Sequence, residues 1–67
     1  GRLEQAEQYL RRAYERAPEA EIAAHLGEVL WAQGRHDEAR KLWQEARGRE
    51  PDNETLRKTL ARLQVQL

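Results

Sequence analysis

Residues Gly1-Arg2-Leu3-Glu4-Gln5-Ala6 return as Gly34-Arg35-His36-Asp37-Glu38-Ala39, an offset of 33 residues. The register then holds without a gap through Leu10 and Trp43, Ala13 and Ala46, Arg16 and Arg49, and Pro18 and Pro51. A chain that echoes itself at this period builds like units side by side, because a unit this short cannot bury its own apolar face and must lend it to a neighbour. Composition says what the unit is made of. Ala, Glu, Lys, Leu and Arg supply 41 of the 67 residues, whereas the β-branched residues are only Ile22, Val29, Thr55, Thr59 and Val65. Helix formers dominate, and strands are excluded as the main element.

Punctuation divides the chain at Ala17-Pro18-Glu19, at Gln33-Gly34-Arg35 and at Glu50-Pro51-Asp52-Asn53. Four helices are therefore predicted, over residues 3–16, 20–33, 37–48 and 53–66. Ile22, Leu26, Val29 and Leu30 share one face of the second, Ala39, Leu42, Trp43 and Ala46 one face of the third, and Leu56, Leu60, Leu63 and Leu67 one face of the fourth. Short connections force neighbours to run antiparallel, so the expected class is all-α, four helices in successive hairpins.

Twelve basic residues balance twelve acidic ones. That balance removes the electrostatic case for a nucleic-acid partner, and no stretch reaches the length of a membrane span. Without Cys there is no thiolate and no disulfide framework, and His25 and His36 stand at no metal-ligand spacing. No Ser and no Gly-rich phosphate loop are present, so neither catalysis nor a cofactor is expected. The absence of Met and the initial Gly point to a piece of a longer chain.

The spacing resembles the tetratricopeptide repeat, a unit of about 34 residues folded as two antiparallel helices. Over Ala20 to Asn53 the family's Leu-Gly pair is Leu26-Gly27, its turn Gly is Gly34, its small residues are Ala39 and Ala46, its aromatic is Trp43 and its closing Pro is Pro51. Two positions depart from it, Ala23 in place of the usual Trp and Leu30 in place of an aromatic. The resemblance implies a right-handed α-solenoid, with residues 1–19 as the second helix of one repeat, 20–53 as a complete repeat and 54–67 as a capping helix.

It also implies a concave face lined by the first helices of successive hairpins. Here those positions are Glu21, Ala24, His25, Glu28, Trp31 and Ala32, followed by Thr55, Lys58, Thr59 and Arg62. Trp31 would be the apolar anchor or a packing residue at the turn, and His36 a solvated residue. The Lys-Asn-Arg clamp by which some relatives hold a terminal carboxylate is not matched by Ala24, His25 and Glu28, leaving only Lys58 and Arg62 for that task.

The expected function is a protein-interaction module that binds a peptide or protein partner in this groove. The alternative is a structural segment that stacks or self-associates, through a first helix whose Tyr9, Leu10, Ala13 and Tyr14 would be open at one edge. Ten Arg against two Lys suggest a bacterial source, and residues 26–35 resemble the repeats of proteobacterial lipoproteins. A parent of that kind is periplasmic, and any other parent cytoplasmic.

Overall fold

The computed structural model describes residues 1–67 as four helices with no strand: α1 Arg2–Arg16, α2 Ala20–Ala32, α3 His36–Arg49 and α4 Glu54–Leu63. Helix α2 is the hub, packed against α1, α3 and α4. Hydrophobic side chains at helical spacing explain the core: Leu26, Leu30, Trp43 and Leu56 are its largest fully buried members, and Ala20, Ala23, Ala24, Ala39 and Ala46 fill the space between them. Such a core is shallow, and α1 contributes no fully buried side chain to it.

Helices α2 and α3 form an antiparallel hairpin whose closeness depends on one missing side chain. A Cβ on Gly27 would overlap Nε1 and Cε2 of Trp43. The indole is wholly buried, and its N–H points at the Ala24 carbonyl oxygen across a long 3.5 Å. Gly27→Ala is therefore expected to cost about 1–3 kcal/mol by overpacking. Urea unfolding checks this, and combination with Trp43→Phe should cost less than the two separate losses together.

The turn between these helices follows from backbone geometry. Gly34 has φ 83°, a conformation that only Gly adopts freely, and it lets Gly34 N–H bond to Trp31 O at 2.9 Å and Arg35 N–H to Leu30 O at 2.9 Å. The hairpin is also fastened at its other end, where the Glu50 carboxylate accepts from the Ala20 backbone N–H at 2.8 Å and meets the positive end of α2.

The fourth helix ends earlier than its leucine stripe predicts. Asn53 starts it by accepting from Leu56 N–H at 2.9 Å, but it stops at Leu63, and Gln64 takes φ 58°. Val65 N–H then bonds to Leu60 O at 2.9 Å, and Val65 turns inward to 7% exposure. Leu67 therefore lies beyond the helix and reaches the core from the tail, not as its last turn. A left-handed Gln is strained by about 1–2 kcal/mol, so Gln64→Gly should stabilise the chain and raise Tm by several degrees. A scanning-calorimetry midpoint that stays or falls would contradict this.

Candidate functional site

Two helices shape the candidate surface, and a pair of contacts shows how they lie. Thr55 Oγ1 donates to Glu21 Oε1 at 2.9 Å, and Arg62 Nη2 meets Glu28 Oε2 at 2.7 Å, both joining residues 34 apart. Equal offsets at both ends mean that α2 and α4 run parallel and in register. Between these pairs stand His25, with Nδ1 3.6 Å from Glu28 Oε1, and Lys58, with Nζ 3.2 Å from Glu54 Oε1. His25 and Lys58 are exposed, as is Arg62. The face is thus a row of alternating charge whose acidic members are engaged by neighbours and whose basic tips reach solvent.

The remaining expected residues lie elsewhere. Ala24 is fully buried and Thr59 is 4% exposed, so neither is on the accessible face. Both are small residues where α2 and α4 approach, and the approach covers them. Trp31 is half-buried in a stack at the turn: its ring lies 3.8 Å from His36 with 13° between planes, 5.7 Å from Trp43, and 5.7 Å beneath the Arg40 guanidinium. His36 is exposed, as expected of a solvated residue, and also forms one layer of this stack. Ala32 is exposed at the end of α2.

The opposite layer, α1 beside α3, carries a feature that spacing alone does not reveal. Glu7 meets Arg11 at 2.8 Å and Arg35 at 2.8 Å, Arg35 meets Glu38 at 2.8 Å, and Glu38 meets Arg11 at 3.4 Å, closing a ring of four charges. Further along, Tyr14 donates to Glu45 at 3.3 Å and accepts from Arg49, whose guanidinium also sits 5.5 Å from the Tyr14 ring. Partial burial raises the Tyr14 phenol above its usual range, against the opposing pull of Arg49. Arg11 above all, with Gln33 and Arg35 behind it, holds the Glu7 carboxyl below the usual range, and Arg35 does the same to Glu38.

A lowered carboxylate pKa stabilises the fold above the unfolded-state value, and that contribution is lost as pH falls through the folded one. The stability gap between the native chain and Glu7→Gln should accordingly be open at neutral pH and close in acid. Urea midpoints across pH check this, and a gap that widens in acid would contradict it.

No group of three or more His, Cys, Asp and Glu side chains is placed to hold a metal ion, and no helix is long and apolar enough to cross a membrane. Parallel first helices in one layer, parallel second helices in the other, and a tight hairpin between them define a helical-repeat solenoid. A model of the tetratricopeptide repeat family matches residues 1–63, and the chain belongs to that family. Over 63 residues it is 36% identical to human protein O-mannosyl-transferase TMTC1, an alignment covering 94% of this chain and 7% of that relative.

Repeats of this family generally mediate protein–protein interaction and are typically non-catalytic. The relative is a transferase by name, but the likeness spans only about 7% of its length. It is human, so the comparison lends no support to the bacterial origin expected from the arginine excess.

Proposed function

We propose that the chain is a protein-interaction module, without catalysis of its own, that receives a peptide segment of a partner protein across the face of α2 and α4. Residues 20–53 act as the complete repeat, flanked by the second helix of one unit and the capping first helix of another. The observation that carries this reading is the polar row from Glu21–Thr55 to Glu28–Arg62, with the exposed tips of His25 and Lys58 between. A segment carrying both signs fits it. Its acidic groups would meet His25, Lys58 and Arg62, and its basic groups the second oxygen of Glu21, since both oxygens of Glu28 are engaged by His25 and Arg62.

A peptide-display selection against the chain, repeated with His25→Ala plus Lys58→Ala, tests the assignment. Exposed hot-spot pairs of this kind are expected to weaken selected peptides about tenfold. Trp31→Ala, by contrast, should lower stability and leave affinity near its starting value, since that ring is held in the turn. Selected peptides that bind the groove variant unchanged would favour the second reading, a segment that only stacks or self-associates. The observation on its side is Tyr9, 74% exposed on α1.

A further inference from the structure

The echo that matches Ala6 to Ala39 and Leu10 to Trp43 breaks along the seam between the second helices. On α3 and its turn, Arg35, Glu38, Glu45 and Arg49 face α1 and meet its Glu7, Arg11 and Tyr14. Stepping those four residues back by one repeat gives Arg2, Gln5, Arg12 and Arg16 on α1. At about 100° per residue they share one flank with Tyr9, Ala6 and Ala13.

That flank has no partner within the chain. Arg2, Gln5, Arg12 and Arg16 are exposed, Ala6 and Ala13 half-buried, and an open groove of about 400 Å³ runs between Tyr9, Arg12, Ala13 and Arg16. None of its three arginines is in an ion pair, whereas Arg11, on the adjacent flank, has two. Glu4, Glu7 and Glu15 all fall outside this arc.

The residues that α1 gives to the seam, stepped forward by one repeat, read differently again. Glu7, Arg11 and Tyr14 become Arg40, Gln44 and Arg47 on α3. A second copy stacked in the solenoid register would set Arg40 against Arg2, and Arg47 against Arg12 and Arg16. Like charges would meet at those places, and where the internal seam pairs Arg11 with Glu38 the neutral Gln44 would face Gln5.

We infer that the outer flank of α1 docks a partner helix that runs parallel to it and carries carboxylates seven residues apart, at the positions Glu7 and Tyr14 hold in the internal seam. Those carboxylates pair with Arg2 and with Arg12 and Arg16, while Tyr9 and the two alanines supply the apolar floor. The same charges reject a second copy in that register.

The probe is a helical peptide with Glu at two positions seven apart, compared with a twin carrying Lys at both. Each is titrated into the 67-residue chain while the amide shifts of Tyr9, Arg12 and Arg16 are followed. The Glu peptide should bind about tenfold more tightly, with the preference shrinking as salt rises. Arg12→Glu plus Arg16→Glu, which alters only exposed side chains, should invert the order of the two peptides.

Equal binding, no binding of either peptide, or an order unchanged in the inverted variant would overturn the inference. So would a native chain that dimerises in sedimentation and becomes monomeric on Tyr9→Ala, since the occupant would then be a second copy.

Discussion

Trp43→Ala is expected to leave the chain without a cooperative fold. The indole is 0% exposed and is the largest buried side chain, and removing such a ring typically costs about 3–5 kcal/mol. A domain of this length commonly holds about 3–10 kcal/mol in total, so the loss consumes a large share or all of it. The cavity would not collapse readily, because Gly27 offers no side chain to fill it and Ala39 and Ala46 are fixed on the same helix. Far-UV circular dichroism through a urea titration is the measurement. A sharp transition at the native midpoint would show that the hairpin does not depend on the ring.

Leu56→Ala should have a comparable cost, about 2–5 kcal/mol, but a different distribution. Leu56 is 1% exposed and sits in the first turn of α4, a helix of ten residues whose main support is α2. So short a helix is unstable alone, so the substitution should release α4 before the α2–α3 hairpin yields. Amide exchange should then become fast across residues 54–63 while α2 and α3 stay protected. Thr55, Lys58 and Arg62 leave the proposed groove at the same time, so peptide binding should fall with it. Uniform loss of protection in all helices would instead mean that α4 is integral to one cooperative unit.

Much of this architecture is legible in the residues. Gly34 and Pro51 mark breaks because one frees the backbone and the other removes a donor, and Gly27 and Trp43 stand out as family positions, although it is the fold that sets the indole against the missing Cβ. The fourth helix misled because Leu67 continues the apolar spacing, while the stop depends on Gln64 entering a conformation that Gln disfavours.

The surface was less readable. The family resemblance implied that Ala24 and Thr59 share a face with His25 and Lys58, but whether a side chain on that face is covered depends on how near α2 comes to α4, which small residues permit and sequence does not measure. Trp31 faces two ways from the last turn of α2, and the stack with His36 and Arg40 decides between them. The charge ring and the reach of Glu50 to Ala20 join residues 27 to 30 positions apart, beyond any local spacing rule.

The carboxylate of Glu50 gives the hairpin a clasp at the end opposite its turn. Residues 19 and 50 lie at the same end of the antiparallel pair, so under mechanical load applied through them the two rods can begin to part only by breaking this charge-assisted bond beside buried alanines. Extension should thus meet an initial threshold at this clasp before the helices open toward Gly34, so the segment resists small tension transmitted through a longer string of helices.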